Sequence, residues 1–177
     1  YSVNTTAGFS IVKYLGNGTS GHTIPHHLGA TPAMIIVKNL DTNPMDWSVY
    51  HKDVASANTR RLRLNSNDYY NTDSSYWNDT SPSSTVFTVG SSTSTNSNDV
   101  NMIAYCFAEI TGYSKIGGYT GNENANGTFV YTGFKPSIII IKKATSGTAQ
   151  NWRILDNKRI GYNVNNYPLY PSASSVE

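Results

Sequence analysis

The chain has 177 residues and a mass of 19.4 kDa; 38% are hydrophobic and only 14% charged, with 13 Tyr, 3 Trp and one Cys. A net charge of +2 is too small for the concentrated basic face of a nucleic-acid binder, and it removes the self-repulsion that keeps chains disordered. A single cysteine excludes an intrachain disulfide framework, and no apolar run approaches the roughly 20 residues of a membrane-spanning helix.

Good helix formers are scarce, and no stretch repeats apolar residues at helical spacing over three turns. Short runs rich in Val, Ile, Tyr, Phe and Thr, punctuated by Gly, Asn, Pro and Ser, predict strands instead. In chain order these are Phe9–Leu15, Ala33–Lys38, Trp47–His51, Arg61–Leu64, Thr85–Val89 and Met102–Ile110, then Thr128–Thr132, Ser137–Lys142 and Trp152–Asp156. Their close spacing implies an all-β fold, an antiparallel β-sandwich of jelly-roll or concanavalin A-like type. Arg61-Leu62-Arg63-Leu64 alternates charged and apolar residues, so one face packs inward. Met102 to Ala108 is apolar on both faces, small at Ala104, Cys106 and Ala108 and large at Ile103, Tyr105 and Phe107. It reads as a central strand with close backbone approach on the small side and bulky core filling on the large side. Asn17-Gly18 and Asn126-Gly127 are hairpin signals, and the Ser/Thr/Asn stretch from Ser91 to Asp99 reads as an exposed loop.

An internal repeat organises the chain. Gly8-Phe9-Ser10 recurs as Gly112-Tyr113-Ser114, and Tyr14-Leu15-Gly16-Asn17 as Tyr119-Thr120-Gly121-Asn122. Ile35-Ile36-Val37-Lys38 recurs as Ile139-Ile140-Ile141-Lys142, and Asp46-Trp47 as Asn151-Trp152, always at an offset of 104 or 105 residues. That period is domain-sized, so residues 1–110 read as a first β-sandwich module and residues 111–177 as a second, incomplete copy in tandem. Counterparts of Thr85–Val89 and Met102–Ile110 would fall beyond Glu177. A sandwich without its central strand exposes an apolar edge. The sequence also opens on Tyr1 rather than Met. The expectation is a polypeptide that continues, or strands supplied by another chain.

Chemistry-bearing constellations are sparse. His22, His26 and His27 cluster in a loop, but the only Cys lies inside an apolar strand and the second copy has no matching histidines. The Asp and Glu residues lie mostly in Asn/Ser-rich turns, where local backbone hydrogen bonds are their usual role, and no pair suggests the two carboxylates of a glycosidase. No catalytic or metal-binding residue is assigned. Asn65, Asn67, Asp68 and Asp73 form an oxygen-rich loop that could hold calcium, though without an EF-hand spacing. Trp47 and Trp152 occupy equivalent positions and read as core residues. Tyr69, Tyr70, Tyr76, Trp77 and Asn78 combine rings with amides in a polar segment. That is the composition of a carbohydrate-stacking surface and equally of a protein interface; the other reading is a Trp77 that anchors its loop to the core.

The stretches GFSIVKYLGNGTSG, DWSVYH, SSYWNDTSPSSTVFTVG and IAYCFAEITGYSKIGGYTGN, followed by FVYTGFKPSIIIIKK, resemble an uncharacterised repeat family. Marine tailed bacteriophages encode it, and its members are labelled tail-fibre-like or concanavalin A-like lectin proteins. The resemblance covers nearly the whole chain; the second copy departs from it by lacking a further AFAE-type strand. It implies an extracellular virion location and a structural role in host attachment. The implied partners are copies of itself, other virion proteins and a host-surface glycan. It implies no catalytic residues, and the alternatives are a decoration module without ligand or a polysaccharide depolymerase.

Overall fold

A computed structural model describes residues 1–42, 44–145, 147–159 and 167–173; residues 43, 146, 160–166 and 174–177, the last three within the sequence read as a second copy, lie outside them. The strands are β1 (Ser2–Asn4), β2 (Phe9–Leu15), β3 (His22–Pro25), β4 (Met34–Asn39), β5 (Ser48–His51) and β6 (Arg60–Arg63). They continue as β7 (Asn71–Thr72), β8 (Val86–Val89), β9 (Asn101–Phe107), β10 (Ile138–Ile141) and β11 (Arg153–Asp156). Helix is confined to single turns, α1 (Ser74–Trp77) and α2 (Thr93–Asn96), and a 3-10 turn at Ala57–Thr59.

All the pairings are antiparallel. Seven strands form one sheet in the order β1-β2-β9-β4-β5-β6-β7, with β9 central, and two ribbons stand beside it, β3–β8 and β10–β11. The sheet and the β3–β8 ribbon share one apolar cluster: Val12, Ile35, Val37, Met102, Ala104 and Cys106 from the sheet, Ile24, Phe87 and Val89 from the ribbon. The alternation of β9 therefore works opposite to the sequence reading. Its small face, Ala104, Cys106 and Ala108 together with Met102, is the buried one, while Ile103, Tyr105 and Phe107 are half-buried on the other face. Small residues under the core leave room for Trp77 and Phe87, whose fully buried rings provide the volume.

The Ser91–Asp99 stretch is the largest departure among the loops. Ser92 caps α2 by accepting the Ser94 N–H, and Ser94, Thr95 and Asn96 are buried. Their polar atoms find partners from distant parts of the chain: the Thr95 carbonyl accepts the Tyr14 hydroxyl at 2.5 Å, and the neighbouring Thr93 carbonyl accepts from the buried Asn39 amide. A hydrophilic stretch is thus carried inside by hydrogen bonding, which composition cannot reveal. Asn17-Gly18 is not a hairpin turn, since β2 pairs with β1 and β9 and β3 pairs with β8. Gly16 is required by close approach, because a Cβ there would lie 2.1 Å from the Ser97 carbonyl oxygen.

In the second segment the pairing β10–β11 repeats β4–β5 residue for residue. Met34↔His51, Ile35↔Tyr50, Ile36↔Val49 and Val37↔Ser48 reappear as Ile138↔Asp156, Ile139↔Leu155, Ile140↔Ile154 and Ile141↔Arg153. The predicted strand Thr128–Thr132 does not form; Phe129 and Tyr131 are 86% and 78% exposed. Its counterpart in the first segment, β3, is held only by β8, and the described residues of the second segment contain no equivalent of β8. The residues matching β2, 113–119, are likewise not a strand, and β2 itself lies between β1 and β9. An isolated strand has no ladder to satisfy its backbone groups and does not persist.

Candidate functional site

The aromatic segment singled out by sequence divides into an inner and an outer part. Asp73 opens α1 by accepting the Ser75 N–H at 3.1 Å and the Ser75 hydroxyl at 2.6 Å. Asn78 closes it in the left-handed region (φ 52°), returning its N–H to the Ser74 carbonyl. This single turn aims both rings inward. Trp77 is 2% exposed, edge-on to Tyr50 at 5.7 Å, and Tyr76 is 7% exposed beneath the Arg61 guanidinium at 4.3 Å. Neither ring is available to stack on a sugar, which corrects their assignment as ligand contacts: the anchoring role is the one they have. Tyr70 is half-buried under Arg60 at 4.1 Å and Asn78 is half-buried, while Tyr69 is 43% exposed and presents its ring to solvent.

The segment from Arg63 to Tyr70 holds the second half of the chain. The Arg63 carbonyl accepts the Trp152 indole N–H at 2.7 Å, the Asn67 carbonyl accepts from Lys142 Nζ at 2.7 Å, and the Tyr70 N–H donates to the Ala144 carbonyl at 2.9 Å. Burial there holds the Lys142 ammonium below its ordinary pKa, partly opposed by Asp68. Trp152 is buried in the common core cluster. Trp47 is not equivalent to it in burial: half-buried, it stacks on Tyr105 at 6.4 Å with Lys38 over its ring. Phe9 lies beside Phe107 at 4.8 Å. Trp47, Tyr105, Phe9 and Phe107 therefore form a half-exposed aromatic set that the sequence reading overlooked. The signal was present in the odd positions of β9, which were assigned to core filling.

The oxygen-rich loop does not converge on a calcium site. Asp68 and Asp46 both pair with Arg63, the Asn65 amide spans Asp46 and the Trp47 N–H, and Asp73 is spent on its cap. Among the described residues no group of three or more His, Cys, Asp or Glu is placed to hold a metal ion. His26 is fully buried, donating from Nε2 to the Ser83 carbonyl and accepting the Leu28 N–H at Nδ1, which defines a neutral ring. Desolvation lowers its pKa, with the Ser83 bond opposing and His27 assisting.

Glu109 is the most perturbed carboxylate. Desolvation would raise it, but hydrogen bonds from Lys52, the Ile116 N–H and Lys115 outweigh that and hold it at about 2. This is a structural clasp, in which one carboxylate at the end of β9 gathers two cations and the start of the second segment. Beside β10 and β11 a hollow of about 90 Å³ is lined by Pro136, Ser137, Ile139, Leu155, Asp156 and Asn157, well below the roughly 300–1,000 Å³ of small-molecule sites.

Fold and site together define an antiparallel, nearly all-β protein whose candidate surface is a set of half-exposed aromatic rings. The chain belongs to the family described as domain of unknown function DUF7483, whose profile matches residues 1–177. No curated protein and no solved structure matches it.

Proposed function

We propose that the protein is a structural β-module of a bacteriophage virion appendage, a tail fibre or capsid-attached fibre, set at the host surface. In this reading it is an antiparallel sandwich in tandem, with copies over residues 1–110 and 111–177. The observation that carries it is the ladder β10–β11, which reproduces the register of β4–β5 pair for pair. A domain-sized β-module repeated with its register is a means of building length, and many copies along a symmetric appendage turn weak contacts into avidity. The virion location rests on the sequence resemblance. Attachment to a host glycan falls to Tyr69 and to the half-exposed rings of Trp47, Tyr105, Phe9 and Phe107, which offer faces for stacking.

Antiserum against the purified chain, used for immunogold microscopy of the particles that encode it, is expected to label an appendage; particles without label retire the reading. Tyr69→Ala and Trp47→Ala are expected to weaken competition for host adsorption by the purified protein. A specific observation favours a second reading, a scaffold without ligand: Tyr76 and Trp77 are buried, and the neighbouring loop is occupied in holding the second segment. Labelled particles whose adsorption is untouched by both substitutions would select that reading.

A further inference from the structure

We propose that the free edge of β10 is a strand-acceptor site whose occupant is an extended segment with the composition of Asn101–Phe107 that is not already paired in a sheet. In the first segment β4 is paired on both edges, with β5 and with β9, and Ile35 and Val37 are fully buried. Among the described residues of the second segment only the β11 pairing is present, and Ile138, Ile139 and Ile140 remain 64%, 43% and 48% exposed. Backbone donors and acceptors along such an edge, beside a row of isoleucines, form a template for β-augmentation.

The repeat states what covers the edge. In the β4 register the incoming strand is antiparallel, placing its equivalent of Phe107 opposite Ile138, of Cys106 opposite Ile139, of Tyr105 opposite Ile140 and of Ala104 opposite Ile141. A glycine gives independent support. Gly16 has no room for a Cβ because the Ser97 carbonyl, a few residues before β9, lies against it; its repeat mate Gly121 meets nothing within 4 Å. The close approach that would demand a glycine at 121 is present once a segment like 97–107 lies across the second copy. A second copy's own β9 cannot serve, since it is held between β2 and β4. The occupant is therefore a strand not already paired in a sheet. Lys142 and Lys143 follow the Ile run directly and act as gatekeepers against indiscriminate pairing of the edge.

This inference rests on the tandem-module reading but not on virion location. The probe is a fluorescein-labelled peptide of residues 99–110 with Cys106→Ser, titrated into the full chain and read by anisotropy. Saturable binding is expected, weakened at least tenfold by Ile140→Lys or by Ile138→Lys. Two further peptides of equal hydrophobicity separate pairing from adhesion: N-methylation of alternate residues on the edge facing β10 is expected to abolish binding, and on the opposite edge to leave it. Equal binding of both N-methylated peptides, or no binding of the parent, overturns the proposal. A chain dimer that Ile140→Lys dissolves and the peptide does not displace overturns it in favour of a second copy. Peptide binding together with unlabelled particles would keep the acceptor site and remove the virion reading alone.

Discussion

Asn96 is the residue whose loss tests the polar core most directly. Its side chain is fully buried. Oδ1 accepts the Asn17 N–H at 2.9 Å and lies 3.1 Å from His22 Nδ1, while Nδ2 faces Asn17 Oδ1 at 3.0 Å, the Thr19 carbonyl at 2.9 Å and the Gly90 carbonyl at 2.7 Å. Each such bond contributes about 1 kcal/mol net, and a buried group left without a partner costs about 1–3 kcal/mol. Asn96→Ala removes the whole set and strands the Gly90 carbonyl, so the expected loss is about 3–4 kcal/mol, or roughly 10 °C in Tm for a domain of this size. Urea titration followed by tryptophan fluorescence, to which buried Trp77 and Trp152 contribute, measures it. Asn98→Ala, at an exposed neighbour whose side chain bonds Asp99, is the control and is expected within about 0.5 kcal/mol of the parent. Asn96→Asp puts a carboxylate oxygen against the Thr19 and Gly90 carbonyls and is expected to be at least as destabilising at neutral pH, with partial recovery in acid. A loss below about 1 kcal/mol for Asn96→Ala would refute the hydrogen-bond argument.

Three further outcomes follow from burial. Trp77→Ala is expected to cost about 3–5 kcal/mol as a large-to-small core change, whereas Tyr69→Ala stays within about 0.5 kcal/mol; similar costs in urea titration would contradict the inner and outer division of that segment. Cys106 is fully buried, and desolvation pushes its thiol up to about 12, so a thiol reagent should react with the native chain only at the rate of unfolding; prompt stoichiometric labelling at neutral pH would refute this. Desolvation holds His26 and His51 below the ordinary histidine value, so the unfolded chain binds protons first as pH falls. Their contribution is complete above about 6.5 and is lost below it, towards the lower folded-state values. Glu109, at about 2 against an ordinary 4.5, adds a loss only as pH falls from 4.5 towards 2. Urea midpoints should fall between pH 8 and pH 5, and a flat or rising profile would refute the assignment.

Much of the strand inventory is local information and was legible. Phe9–Leu15 has the predicted limits, and the predicted strands matching β4, β5, β6, β8, β9, β10 and β11 lie within a few residues of where they form, because apolar and β-branched runs bounded by turn residues favour a pleated, half-buried surface whatever surrounds it. The match between Ile35-Ile36-Val37-Lys38 and Ile139-Ile140-Ile141-Lys142 likewise preceded the shared register of the two ladders. Partners were not legible. Thr128–Thr132 has strand composition and forms none, because a strand is a pairwise object and its β8-type partner is missing from the described residues. The segment Ser91–Asp99 has loop composition and is buried, because the hydrogen-bonding partners of Thr95 and Asn96 lie far away in the sequence. The same holds for the site: composition marked the aromatics from Tyr69 to Trp77, but only the α1 turn, which sets Trp77 against Tyr50 and Tyr76 beneath Arg61, decided which rings face inward. The sequence alone determined which segments can be strands; the tertiary structure decided which of them have a partner, and a strand without one keeps neither its backbone hydrogen bonds nor a buried face.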